Sequence, residues 1–198
     1  MRVLVLNYGV GNIFSISHAL TKLGASVIVG KNPVGEDFDA LVMPGVGSFT
    51  AAAESISTFR DDLRDRVRSG IPTLGICLGM QIMFDTSEEG PGVGLGLFQG
   101  RVVSLPQHVK RPQMGWNRLL KVRDSPILEG VEDAWVYFNH TYYPIPSDGS
   151  IIAGKTIYGV EVPSVISFSN IFGTQFHPEK SSTTGQRILR NFMGQVRR

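Results

Sequence analysis

An α/β fold, with a mostly parallel central sheet flanked by helices and an antiparallel excursion in its second half, follows from three features of the sequence. Short apolar runs alternate with stretches of helical periodicity up to Phe84, glycines and polar turns punctuate the junctions, and from Arg101 onward strand-like runs separated by glycine and proline dominate. Alternating strand and helix implies right-handed crossovers and a parallel sheet covered on both faces. The 198 residues show no repeat, low-complexity tract or linker and suffice for one well-filled core, so 1–198 reads as one domain.

Each element has its own signal. Val3-Leu4-Val5-Leu6 is a continuous apolar strand, and Ile13, Ile16, Ala19, Leu20 and Leu23 follow at helical spacing, closed by Gly24. Val27-Val29 and Ala40-Leu41-Val42-Met43 mark the next strands. Phe59, Leu63 and Val67 line one face of a helix that ends at Gly70. Ile71-Pro72-Thr73-Leu74 then leads as a strand into Gly75-Ile76-Cys77-Leu78-Gly79, with a helix expected over 80–84. Strands are expected over 101–105, 135–140, 151–155, 165–168 and 171–176. The last helix presents Ile188, Leu189, Phe192, Met193 and Val196 on one face, and Ser181-Ser182-Thr183-Thr184 marks its start.

Composition excludes several classes. Apolar residues make up 42% of the chain and charged residues 18%, with a formal net charge of +2, so nothing points to nucleic acid. The basic residues are scattered apart from Arg197-Arg198, which reads as a solvated tail. A single cysteine rules out internal disulfides and cysteine-rich zinc sites and points to a reducing, cytoplasmic compartment. The apolar run after Met1-Arg2 stops at Asn7, too short for a signal peptide, and no run approaches the roughly 18 apolar residues that cross a bilayer.

The one cysteine, Cys77, is also the strongest chemical signal. A Gly-x-Cys-x-Gly stretch between a strand and a helix reads as a nucleophile elbow, a sharp turn that lifts its central side chain to the carboxyl edge of a sheet. A free thiol is only a few per cent ionised at neutral pH, and the N–H groups of a following helix favour the anion. Of the four histidines, His18 lies in the first helix and His108 in a polar connection. His177 instead follows a strand and precedes Pro178-Glu179; a residue before proline is extended, which puts His177 and Glu179 on one side of the chain. Nucleophile, base and orienter are then Cys77, His177 and Glu179.

Two glycine loops complete the pattern. Pro44-Gly45-Val46-Gly47 follows a strand and can offer the N–H groups of Val46 and Gly47, with that of Leu78, to an oxyanion, each donor being worth roughly 3 kcal/mol. Tyr8-Gly9-Val10-Gly11-Asn12 starts like a dinucleotide fingerprint, but Phe14 stands where the third glycine belongs, so phosphate binding is not expected.

Gly75-Ile76-Cys77-Leu78-Gly79-Met80-Gln81 and Phe176-His177-Pro178-Glu179-Lys180-Ser181 resemble the class I (triad) glutamine amidotransferases. Asn7-Tyr8-Gly9-Val10-Gly11-Asn12, Pro44-Gly45-Val46-Gly47-Ser48-Phe49, Pro112-Gln113-Met114-Gly115-Trp116-Asn117 and Phe138-Asn139-His140-Thr141-Tyr142 bring the resemblance closer to the glutaminase subunits of imidazole glycerol phosphate synthase. The resemblance implies a flavodoxin-like fold and hydrolysis of L-glutamine to glutamate and ammonia through a cysteine thioester. It implies that Gln81 and Glu89, assisted by Gly47, His140 and Thr141, hold the substrate, although Ser87-Glu88-Glu89 leaves open which carboxylate does so. No metal or organic cofactor is implied. The implied partner is a cyclase subunit, a (β/α)8 barrel in a one-to-one pair, which uses the ammonia to form imidazole glycerol phosphate and an aminoimidazole carboxamide ribotide. Asn12, Trp116, Asn117, Tyr137 and Lys180 match positions that face this partner. Two other readings share the motifs: the ammonia-supplying subunit of a different synthase, and a relative that keeps the fold as a binding module.

Overall fold

The computed structural model describes residues 1–9 and 11–196. Val10 and the Arg197-Arg198 pair, read above as a solvated tail, lie outside the described residues. The first half runs β1 (Arg2–Leu6), α1 (Ile13–Lys22), β2 (Ser26–Gly30), β3 (Ala40–Gly45), α2 (Phe49–Ile56), α3 (Arg60–Arg68), β4 (Thr73–Cys77) and α4 (Leu78–Gln81). The second half adds β5 (Thr86–Ser87), β6 (Gly100–Ser104), β7 (Gln113–Lys121), β8 (Ala134–His140), β9 (Tyr142–Pro146), β10 (Ile152–Ile157), β11 (Glu161–Phe168), β12 (Ile171–Thr174) and α5 (Ser182–Met193).

Among the described residues nine strands form one sheet in the order β2-β1-β3-β4-β12-β11-β10-β7-β8, and β5-β6-β9 form a smaller one. β2, β1, β3, β4 and β12 are parallel; β11, β10, β7 and β8 continue the sheet antiparallel. Side chains that alternate along β1 divide the core between the two faces. Val3 and Val5 pack with Ile16 and Leu20 of α1 and Ile188, Leu189 and Phe192 of α5, whereas Leu4 and Leu6 pack with Phe49 and Ile56 of α2 and Leu63 and Val67 of α3. No helix among the described residues is long and apolar enough to cross a membrane.

Register decides where chemistry can happen. Gly45 at the end of β3 lies directly beside Cys77 at the end of β4, and Thr174 at the end of β12 lies beside Ile76. The Pro44–Gly47 loop, the elbow and the chain leading to His177 therefore leave the sheet at one edge, the carboxyl edge where open α/β sheets bind ligands.

The structure corrects several sequence expectations. The helix after Cys77 begins at Leu78 and lasts one turn, because the chain goes on in tight turns, Met83 N–H to Met80 C=O and Phe84 N–H to Gln81 C=O, rather than as a helix over 80–84. So short a helix adds few aligned peptide dipoles behind the thiol. β12 ends at Thr174, not at 176, and β11 begins at Glu161, four residues before the expected start, with Pro163 inside it. β7, β9 and α2 were not foreseen: Gly115 breaks the apolar pattern of β7, Pro144 and Pro146 stand in β9, and α2 is alanine-rich with a short apolar face.

Candidate active site

Cys77 has φ 54° and ψ −109°, a left-handed backbone that an L-residue adopts at roughly 1–3 kcal/mol of strain. The flanking glycines explain how the turn survives. A Cβ on Gly79 would stand 1.7 Å from the Met43 carbonyl oxygen, and one on Gly75 would stand 2.5 Å from that of Gly79, so strand and elbow touch backbone to backbone. The thiol is 5% exposed at the floor of a cleft of about 280 Å³. Val46, Gly47, Leu78, Gln81, Glu89, Pro112, Asn139, His140, Thr141 and Tyr142 complete its lining.

His177 and Glu179 meet as an ion pair, Nδ1 to Oε1 at 2.9 Å, with side chains 3% and 4% exposed. The contact is made differently from the sequence expectation, since Glu179 sits in a 3₁₀ turn over Pro178–Lys180 rather than in extended chain. Burial disfavours the charged ring, but Cys77 and Glu179 together outweigh it and raise the His177 pKa well above its usual value. Its Nε2 makes no hydrogen bond of ordinary geometry among the described residues and is left for chemistry. The His177 backbone is clamped as well. Its N–H donates to the Tyr137 C=O at 2.9 Å, and the buried Ser181 hydroxyl donates to the His177 C=O at 2.6 Å while accepting the Tyr137 N–H at 2.9 Å. Ser181 was foreseen only as a helix start; its side chain caps nothing and ties His177 to β8 instead.

The substrate candidates separate cleanly. Glu89 lines the cleft and accepts the Phe49 N–H of α2 at 2.6 Å, while Glu88 is exposed and accepts the Ser104 N–H at 3.1 Å, so of the two carboxylates only Glu89 faces Cys77's cleft. Gln81 donates to the Tyr142 C=O at 2.8 Å and to Gln175 Oε1 at 3.2 Å, which leaves its own carbonyl oxygen to accept. His140 pairs through Nδ1 with the same Tyr142 C=O at 2.9 Å. Burial lowers its pKa to about 4, offset in part by that bond and reinforced by His177, so the ring is neutral with Nε2 as an acceptor. Gly47 has φ 127°, a backbone that favours glycine, and Val46 beside it is part exposed at the cleft mouth. Tyr8 lies beneath this loop: a Cβ on Gly45 would come within 2.8 Å of its hydroxyl. Burial and the Cys77 charge both raise its pKa.

Trp116 and Tyr137 are cross-strand partners on one face of β7 and β8, with rings 6.1 Å apart edge to face, and Lys180 Nζ stands 5.9 Å over the Tyr137 ring. Met114 and Trp135 extend that exposed face. Asn12 is exposed and caps α1 through Ser15 N–H. Asn117 does not share the aromatic face: it alternates to the other side of β7 and donates to the Ile157 C=O at 3.0 Å. Gln175, which the sequence reading passed over, is fully buried with its amide nitrogen 3.5 Å from Cys77 Sγ. Its spacing from His177 was the available signal, since positions two apart in extended chain share a side. Among the described residues no group of three His, Cys, Asp or Glu gathers to hold a metal.

The model of the class I glutamine amidotransferase family matches residues 4–196. The imidazole glycerol phosphate synthase subunit HisH of Methanothermobacter thermautotrophicus is 46% identical over 98% of this chain and 99% of its own. That of Saccharolobus solfataricus is 44% identical over the full length of both chains. Among solved structures, a glutamine amidotransferase superposes with a TM-score of 0.76 at 21% identity, covering 98% of each chain. PurLQS from Thermotoga maritima also gives 0.76, at 16% identity and 99% coverage of each chain.

Proposed function

The chain belongs to the class I glutamine amidotransferases and, within them, to the family of the imidazole glycerol phosphate synthase HisH subunits, and from that premise we propose how its cleft works. It is a glutaminase acting as one domain over 1–198. Cys77 Sγ attacks the carboxamide carbon of L-glutamine, and the N–H groups of Val46, Gly47 and Leu78 receive the oxyanion. The His177 imidazolium, oriented by Glu179, gives its proton to the departing nitrogen, so ammonia leaves and a γ-glutamyl thioester remains. Water, deprotonated by His177, then attacks the thioester carbonyl, and glutamate and the thiol are released. The free carbonyl oxygen of Gln81 and the carboxylate of Glu89 suit an ammonium group, while Gly47, His140 and Thr141 line the rest of the substrate. The observation that carries this reading is the register Gly45–Cys77 together with the buried His177–Glu179 pair at the same sheet edge.

The ammonia goes to a (β/α)8 cyclase subunit in a one-to-one cytoplasmic heterodimer whose joint reaction is a lyase step yielding imidazole glycerol phosphate. Met114, Trp116, Trp135, Tyr137 and Lys180 offer the docking face, and the exposed Asn12 at the start of α1 is a further candidate contact. Two features support control of the thiol by that partner. The Tyr137 side chain lies on the docking face while its backbone holds His177, and the glycines flanking Val46 let one peptide turn between donating to the oxyanion and facing away. Losing one oxyanion donor costs a hundredfold or more in rate. Glutamate release should therefore be slow for the isolated chain and rise at least about a hundredfold with the cyclase and its ligand. Equal rate constants in all three states would remove the switch, and no release in any state would remove the glutaminase.

A further inference from the structure

We propose that Gln175 is a further catalytic group of this cleft, the hydrogen-bond donor that favours the anionic form of the Cys77 sulfur. The inference rests on Cys77 being the nucleophile. Gln175 is 0% exposed, its Nε2 lies 3.5 Å from Sγ, and its Oε1 accepts from Gln81 at 3.2 Å. The two ends of an amide look alike, but here the chemistry of the neighbours orients both side chains. The Tyr142 carbonyl can only accept, so the end of Gln81 placed 2.8 Å from it is the NH₂. That NH₂ has a second hydrogen, aimed at Gln175, so the end of Gln175 that meets it is the oxygen. The NH₂ of Gln175 is therefore the end that meets the sulfur.

On another side Sγ lies 3.7 Å from the Asn139 carbonyl oxygen. The sulfur is thus held between one donor and one acceptor. A thiol hydrogen has Asn139 O to point at, and a thiolate has the Gln175 N–H to receive. The titratable groups around the sulfur are His177 and Tyr8, both of whose pKa values Cys77 raises, with Glu89 and the neutral His140 lining the same cleft; the Gln175 N–H is the uncharged donor that offsets the Asn139 carbonyl dipole at the sulfur itself. The chain Tyr142 O, Gln81, Gln175, Sγ also joins the group aimed at the substrate's ammonium to the group that attacks its amide.

The test uses the fact that Cys77 is the only cysteine, so a single iodoacetamide adduct counted by mass reports it alone. Gln175→Glu keeps the shape and the oxygen offered to Gln81 but replaces the donor with an oxygen; Gln175→Met removes the donor without charge. In each, the midpoint of the alkylation rate against pH should move up by at least about one unit, a tenfold slower reaction at neutral pH, with the wild-type rate regained at high pH. A carboxylate in Gln175→Glu would also repel the thiolate, so Gln175→Met decides: a merely space-filling Gln175 would leave its profile unmoved, and an unmoved profile in the folded Met variant overturns the proposal. Wild-type protein gives an independent reading should both variants unfold: the side-chain amide resonances of Gln175 should shift with the midpoint of Cys77 alkylation, and resonances indifferent to it overturn the proposal equally. Because alkylation requires no glutamine turnover, an enzyme that hydrolyses glutamine with an unmoved profile sinks this inference alone, whereas a moved profile without glutamate release sinks only the glutaminase reading.

Discussion

Every residue of β3 and β4 is buried, whereas along β7 and β8 inward residues such as Leu119, Val136 and Phe138 alternate with outward ones such as Trp116 and Trp135, which are 50% and 55% exposed. The two parts of one sheet are built for different work. Strands covered on both faces have only their ends free, and the proposed chemistry uses those ends, Gly45, Cys77 and the loops beyond them. Strands with an open face offer their sides, and large aromatics left in water mark a surface meant to be covered. The two meet at Tyr137, whose ring belongs to the open face and whose backbone holds His177.

If that division holds, substitutions at the buried end should damage chemistry or folding, and those on the open face should damage assembly alone. The largest effect is expected from Cys77→Ala, which should lower glutamine hydrolysis by at least about 10⁴-fold with little change in the melting temperature. Ammonium salt with the cyclase should restore product formation by this variant, as end-point product assays can show. Gly79→Ala comes next. Its Cβ would meet the Met43 carbonyl oxygen at 1.7 Å, backbone that cannot step aside, so denaturant unfolding should show a loss of more than about 4 kcal/mol.

The two buried histidines, His140 and His177, should give stability limbs of opposite sign. The His140 pKa is lowered to about 4, so its contribution is present above its ordinary value near 6.5 and is lost as pH falls towards 4, up to about 3 kcal/mol. The His177 pKa is raised, so its contribution is present below that ordinary value and is lost as pH rises through the folded one. Urea melts across pH should show both limbs, with His140→Gln flattening the acid one. The smallest effect belongs to the open face. Trp116→Ala or Trp135→Ala should weaken cyclase binding at least tenfold by titration calorimetry while changing the stability of the isolated chain by no more than about 0.5 kcal/mol.

The same division governed what could be read from sequence. Strands buried on both faces are continuous apolar runs, so β1, β3 and β4 were legible, as was the elbow that ends β4. β7 alternates polar, aromatic and glycine residues because one of its faces is open, and β9 carries two prolines; each obscures a strand that tertiary pairing nevertheless forms. Cys77, His177 and Glu179 were legible because their neighbours are unusual. Gln175 offered only its spacing from His177 and Ser181 only a helix start, because a buried amide and a buried hydroxyl take their roles from the sulfur and the carbonyl that the fold places beside them.

If the buried sheet edge performs amide chemistry through one thiol, that thiol should react with a glutamine-like electrophile. A diazoketone analogue of glutamine, followed by peptide mass mapping, tests it most directly. One adduct per chain is expected, on Cys77, formed more slowly when glutamine competes and faster when the cyclase is bound. An adduct on any other residue, or labelling indifferent to glutamine, would contradict it.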